Sequence, residues 1–594
     1  MPLYKQALPL TRVVGDRNAS ARVLHNLMNI NVVLKDLRLA TFYGKQSVEA
    51  YQNLRSDITG LDKNIQKTFL RVEEPTYRAL AELLIEQGRL GEAHQVLNAF
   101  KDQQFFDFDG GQQGRLAALT LTPREAELVS RLNTAVGGIN TGGGAGEELA
   151  ARLKTAYARF DAALTQAEVE FSKPPDEKDQ VGATSDTARM QAALRQLGQD
   201  TGQTAAAVYT LAGREKYYAL IVTADGINST SSPVAGDELN RKERELWGLL
   251  QSDAYDPTAL SKELYDAVFR PVEAKLPADT KTILWSLDGN LRYVPMAALY
   301  DGQRYLVERY NHVNFTRADP ARMTRPVTRG WTATGLGTSA AHTVELRGEK
   351  LALADLPGVG RELRLLVSGK GSPQGLFEGE ALQDARFTRA AMLTALRRKR
   401  PVVHIASHFS FRPGDEERSF LLLGDGTAFT LAEMKREGGL FEGVELLTLS
   451  ACNTAAQLAG ADGREVDAFA ELAQRLGADA VLATLWPVAD GSTPWLMREF
   501  YRTKLKQTLN KAEALRQAQL ALLRGRADAA PSPRRRGPKV EVLDGDVDTR
   551  LRQNTRADVV FVEAKNAVPF KKARGRPFAH PFYWSPFVLI GNWR

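Results

Sequence analysis

The chain has 594 residues, 43% of them hydrophobic and 25% charged, with a formal net charge of +7; this is material for the cores of two or three soluble domains. So mild a positive balance gives no reason by itself to invoke nucleic acid or a membrane surface. The single cysteine excludes an intramolecular disulfide and fits a reducing compartment.

In chain order, residues 1–20 hold no sustained apolar core, and no later stretch approaches the roughly 18 apolar residues of a membrane span. The expected address is therefore the cytoplasm. Residues 1–200 read as an all-α region. Its clearest element is a helix pair over residues 77–97, where small and apolar residues recur at helical spacing on either side of Gln87-Gly88-Arg89. That is the arrangement of a tetratricopeptide helix hairpin. Only one repeat is legible where a solenoid needs about three, so an irregular helical bundle and degenerate repeats both stay open. The glycine-rich run 137–146 lacks the Gly-Lys-Ser/Thr of a phosphate loop and reads as a flexible connection. Helix is expected over 147–171, ended by Lys173-Pro174-Pro175, and again over 185–211, leading into a first strand at 217–223.

From there strands and helices alternate. Strands are expected at 281–286, 330–335, 402–407, 444–449 and 479–485, with helices at 260–274, 359–366 and 388–397 between them. The alternation argues an α/β doubly wound sheet over residues 205–594. In a helix over 466–476, Val466, Phe469, Ala470, Ala473 and Leu476 make one apolar stripe, which should cover the sheet beside the 444–449 strand. Residues from about 525 to 558 change character. Pro531-Ser532-Pro533-Arg534-Arg535-Arg536-Gly537-Pro538-Lys539 is polar, proline-rich and basic, the composition of an exposed insertion. No aromatic residues interleave its charges, so nucleic acid is not expected as a direct ligand.

Two stretches carry chemistry. Residues 401–408 (PVVHIASH) and 444–452 (VELLTLSAC) are apolar runs that end in His408 and in the sole cysteine, Cys452. Such runs suit strands buried on both faces in a parallel sheet, where ligands sit beyond the carboxyl ends. If the two strands are neighbours, His408 and Cys452 meet in one cleft. A nearby imidazolium lowers a thiol's pKa and makes it a nucleophile. His404 lies on the same strand face four residues earlier, mid-run between Val403 and Ile405, and reads as a core histidine. A buried, inert thiol is the bland alternative for Cys452, but Cys452 stands at a strand end before Asn453-Thr454 and a loop containing Gly460, Asp462 and Gly463. The histidines and the cysteine form no chelating cluster, so neither metal nor cofactor is expected.

Further short matches accompany that pair: Asp288-Gly289, Val294-Pro295-Met296-Ala297-Ala298-Leu299, Leu356-Pro357-Gly358, Ser419-Phe420-Leu421-Leu422-Leu423, Leu485-Trp486-Pro487-Val488-Ala489-Asp490, Phe500-Tyr501 and His580-Pro581-Phe582-Tyr583-Trp584-Ser585-Pro586-Phe587. With His404 to His408 and Leu449 to Thr454, they make the sequence from about residue 217 onward resemble a CHAT domain. That is the caspase-like peptidase group often joined to tetratricopeptide repeats. The resemblance implies a caspase-like fold and a His408/Cys452 dyad. His408 lies 44 residues before Cys452 (452 − 408), in the histidine-first order of caspases, but Ser450-Ala451-Cys452-Asn453 lacks the Gln-Ala-Cys-x-Gly signature of caspases in the narrow sense. The chain departs from the family where a glycine commonly follows the histidine: here it is Phe409, whose side chain is expected to narrow the cleft or impose a different loop path.

The leading expectation is a cysteine endopeptidase acting on a protein or peptide substrate. The backbone N–H groups of Phe409 and Cys452 would hold the oxyanion. Asp490, just past a strand expected beside the cysteine strand, either lines the pocket for an Arg or Lys before the scissile bond, as an aspartate does in the more loosely similar separases, or closes a loop before a helix starting near Thr493. Such an enzyme in a bacterial cytoplasm needs restraint, so the helical region is expected to bind a regulatory protein or the substrate. Two alternatives stay open: a catalytically silent interaction scaffold, and a latent enzyme cut at residues 534–537.

Overall fold

The structure is a computed structural model that describes residues 2–58, 63–104, 118–136, 147–181, 184–315, 320–328, 330–368, 374–412, 415–450, 452–453, 464–486, 488, 491–507, 509–525, 539–543, 559–563 and 567–594. The chain divides into two compact units, residues 1–189 and 190–594.

The first unit is built from α1 (Pro2–Val14), α2 (Arg17–Val33), α3 (Leu37–Ile58), α4 (Lys63–Glu86), α5 (Leu90–Gln104), α6 (Pro123–Val136) and α7 (Glu147–Ser172), with the start of α8 (Ser185–Thr201). Local chemistry sets the boundaries. The Asp16 carboxylate accepts the Ala19 N–H at 2.9 Å and caps α2. Gly88, at φ 71°, takes the left-handed backbone that ends α4, so the Gln-Gly-Arg turn falls where the sequence puts it. Consecutive helices pack as pairs, and α1 returns against α6 and α7. A buried cation, Lys45, is neutralised by Glu92 and by Glu125 at 2.6 Å.

The second unit is organised on one large sheet. Its strands are β1 (Thr204–Ala212), β2 (Tyr217–Val222), β3 (Ile227–Ser232), β4 (Thr280–Ser286), β5 (Asn311–Asn314) and β6 (Ala333–Gly337). A hairpin follows, β7 (His342–Leu346) and β8 (Glu349–Leu353), then β9 (Val367–Ser368), β10 (Phe377–Gln383) and β11 (Val402–Ala406). A small sheet takes β12 (Phe409–Ser410), β13 (Phe420–Leu422), β14 (Ala428–Thr430) and, after β15 (Leu446–Leu449), β16 (Cys452–Asn453). The chain ends with β17 (Ala480–Thr484), β18 (Lys539–Leu543), β19 (Val559–Glu563) and β20 (Phe587–Gly591). Helices between them are α9 (Gly236–Leu250), α10 (Thr258–Leu264), α11 (Arg270–Glu273), α12 (Pro320–Met323), α13 (Val359–Leu366), α14 (Arg389–Leu396), α15 (Leu431–Arg436), α16 (Arg464–Arg475), α17 (Thr493–Gln507), α18 (Lys511–Leu523) and α19 (Pro581–Trp584).

The strand order is β3-β2-β1-β4-β5-β20-β17-β15-β11-β6-β10-β9. From β1 to β9 it is two parallel half-sheets of opposite direction, with β2 and β3 added antiparallel at the β1 edge. Strands β1, β4, β5 and β20 run one way and β17, β15, β11, β6, β10 and β9 the other, joined by the antiparallel pair β20–β17. Strands β11, β15 and β17 are buried along their whole length, as befits strands covered on both faces.

Two expectations change. The helix placed over 185–211 stops at Thr201, and the alanine-rich run that follows is β1. Gly202, at φ 66°, breaks the helix; pairing with β2 and β4 then overrides alanine's helix preference. The stripe on α16 is wider than expected: besides Phe469, Ala470, Ala473 and Leu476, Ala468, Leu472, Asp467 and Glu471 are buried. Of the basic insertion, residues 526–538 and 544–558 lie outside the described residues, whereas residues 539–543 form β18, parallel to β19.

Candidate functional site

The site is built at the carboxyl ends of β11 and β15. These strands are parallel neighbours, pairing Val402 with Leu446, His404 with Thr448 and Ile405 with Leu449. Beyond them the chains continue as β12 and β16, again parallel, but there Phe409 and not His408 stands opposite Cys452. Between the two pairings the histidine chain has gained one residue relative to the cysteine chain. Cys452 thus opens β16, and His408 immediately precedes β12, the parallel partner of β16 in one small sheet.

His408 is fixed from several directions. The Ser407 hydroxyl donates to Leu422 O at 2.6 Å, and the Leu422 N–H donates to His408 O at 2.9 Å. The His408 ring is half-buried and its Nε2 lies 2.7 Å from the carbonyl oxygen of Ala354. A carbonyl only accepts, so Nε2 carries the proton and the lone pair of the neutral ring is on Nδ1.

Ala354 is held in place by its neighbours. Leu353 packs with Val344, Phe420 and Leu422, and Leu356 with Val359, Leu363 and Ala406. The Arg412 guanidinium, just after β12, grips Glu349 of the β7–β8 hairpin through two contacts of 2.8 Å. That pairing holds the Glu349 carboxyl below the ordinary glutamate range. Behind β11, Gly337 of β6 leaves no room for a side chain: a Cβ would come within 2.7 Å of both Ala406 O and Val359 Cγ1.

Phe409 does not project into the cleft. Its side chain is 3% exposed and its ring meets Phe469 of α16 edge-on, with centroids 4.5 Å apart. It anchors the helix that follows the cysteine loop. The same helix is tied to the segment after β4 by a buried ion pair, Arg292 Nε to Asp467 Oδ2 at 2.8 Å.

His404 is a core histidine. It is 1% exposed; Nε2 lies 2.9 Å from Glu362 Oε1 and Nδ1 3.1 Å from the Tyr501 hydroxyl. Among the described residues no group of three His, Cys, Asp or Glu is placed to hold a metal ion, and no described helix is long and apolar enough to cross a membrane. Asp490 and residues 534–537 lie outside the described residues.

The family model for the CHAT domain matches residues 258–592, more than half of the chain. The chain belongs to the CHAT domain family. Its second unit therefore has the caspase-like α/β fold, preceded by a helical region. No curated protein matches the sequence. Among solved structures, the Saccharomyces cerevisiae separase–securin complex is similar over 87% of this chain and 47% of the matched one, at 9% identity and a TM-score of 0.34. The chain thus spans about half the length of that relative.

Within this CHAT domain, sequence reasoning missed Ala354, Glu349 and Arg412, because a backbone carbonyl and an ion pair between residues 63 apart leave no local pattern. It also gave Tyr501, Glu362 and Thr448 no role, although Tyr501 stood in the Phe500-Tyr501 match.

Proposed function

We propose that this CHAT domain is a cysteine endopeptidase that uses His408 and Cys452. The observation that carries this is the histidine's arrangement: its strand pairs with the cysteine strand, and its Nε2 proton is committed to Ala354 O. Nδ1 is then the nitrogen that exchanges a proton with the thiol. In the reaction, the Cys452 thiolate adds to the peptide carbonyl carbon, and the N–H groups of Phe409 and Cys452 stabilise the oxyanion. Collapse breaks the C–N bond as the imidazolium protonates the leaving amine. Water, deprotonated by His408, then cleaves the thioester and restores the thiol. Asp490 is assigned the pocket for an Arg or Lys before the scissile bond. The helical region is assigned a regulatory protein partner, and the cytoplasm is the place of action.

A peptide library incubated with the wild type and with Cys452→Ala tests this. The wild type should cut after basic residues, and the variant should lose about 10³-fold or more of that activity with its unfolding temperature unchanged. A variant as active as the wild type refutes the mechanism. A wild type that cuts nothing is the outcome of the scaffold alternative. For the regulatory assignment, a chain starting at residue 184 with unchanged regulation and unchanged substrate choice is the contrary result.

A further inference from the structure

We propose that Tyr501 is a positioning residue, whose hydroxyl keys the register of β11 against β15 and so sets His408 against Cys452. The proposal rests on the peptidase reading of that pair.

The two strands are apolar and buried on both faces, so hydrophobic burial alone barely distinguishes one register from the next. The polar side chains in them are His404 and Thr448, and these are register partners. Tyr501, reaching in from α17, spans them: its hydroxyl lies 2.8 Å from Thr448 Oγ1 and 3.1 Å from His404 Nδ1. Glu362 of α13 closes the chain on His404 Nε2 at 2.9 Å. One proton order satisfies every member. Thr448 donates to the Tyr501 oxygen, Tyr501 donates to His404 Nδ1, and His404 Nε2–H donates to the Glu362 carboxylate. Burial keeps the phenol protonated, as that order requires. All four residues are at most 4% exposed, so water cannot replace a lost partner.

His404 lies four residues before His408, and Thr448 four before Cys452. A slip of one residue would turn Thr448 to the opposite face and carry the cysteine about 3.3 Å along the strand. That displacement exceeds the leeway of a thiol–imidazole hydrogen bond. Tyr501→Phe removes only the hydroxyl, because the ring is held by Phe377 at 5.2 Å and Phe500 at 4.9 Å.

The experiment compares full-length wild type, Tyr501→Phe and Thr448→Val by two readouts: iodoacetamide labelling of the single cysteine from pH 5 to 9, and hydrogen exchange of residues 402–406 and 446–449. The proposal expects each variant to label about tenfold more slowly at pH 6, to approach the wild type near pH 9, and to exchange faster in those two strands. The double variant should be no worse than either single one, since all remove the same link. Should Tyr501→Phe fail to fold, Thr448→Val, which leaves the tyrosine in place, decides by the same readouts. Wild-type labelling and exchange in the folded variants overturn the proposal. If the wild type itself labels only as an ordinary thiol, the peptidase reading falls, and exchange alone decides whether the hydroxyl keys the register.

Discussion

Phe409 stands directly across from Cys452, with its ring turned away into α16. The side chain in the position where the family commonly has glycine is thus a structural anchor. Phe409→Ala should therefore lower stability by about 3 kcal/mol or more, the scale for emptying a buried aromatic site, and should not raise turnover. Thermal unfolding and peptide cleavage measured together check this. Faster cleavage at unchanged stability would mean that the ring obstructs the cleft.

The grip of Arg412 on Glu349 ties the β7–β8 hairpin, and with it Ala354, to the segment just beyond the histidine. Arg412→Ala or Glu349→Gln should lower kcat by about fivefold or less, the scale of an exposed ion pair, with a smaller effect at high salt. The Glu349 carboxyl is held below its ordinary range by Arg412. The grip is thus complete above the ordinary glutamate pKa and is lost as pH falls through the lowered folded value. Below that value the variants and the wild type should converge. Equal activity at neutral pH and low salt would show that the hairpin needs no such tie.

Lys511 opens α18 fully buried, its ammonium donating to the backbone carbonyl of Arg594 at 2.5 Å. Burial brings its pKa down to about 7. The unfolded chain keeps the proton to about pH 10.4, so between those values the unfolded state binds more protons and stability rises with pH. Wild type should therefore gain at most about 1.4 kcal/mol per pH unit above pH 7 relative to Lys511→Met. Parallel stability curves for the two proteins from pH 7 to 9 would contradict this.

How much of this was legible in the sequence depended on range. The apolar runs ending in His408 and Cys452 announced buried parallel strands, and β11 and β15 are neighbours. Helix α13 could be placed because its apolar period is local. By contrast, β1 was misread as helix, since its alanines carry no strand signal until β2 and β4 flank it. The reversal of direction at β17–β20 joins segments about a hundred residues apart, which no window of sequence contains. The one-residue offset between β11–β15 and β12–β16 was equally hidden, because spacing alone places His408 opposite Cys452.

The central claim, that His408 activates Cys452, is tested most directly by the rate at which iodoacetamide labels the lone cysteine as a function of pH in wild type and in His408→Ala. An activated thiolate reacts between about pH 5 and 7, where a thiol of pKa about 8.5 is nearly inert. The account predicts fast labelling in that range for the wild type, and for His408→Ala a profile that rises only toward pH 8.5. Identical profiles for the two proteins would contradict it.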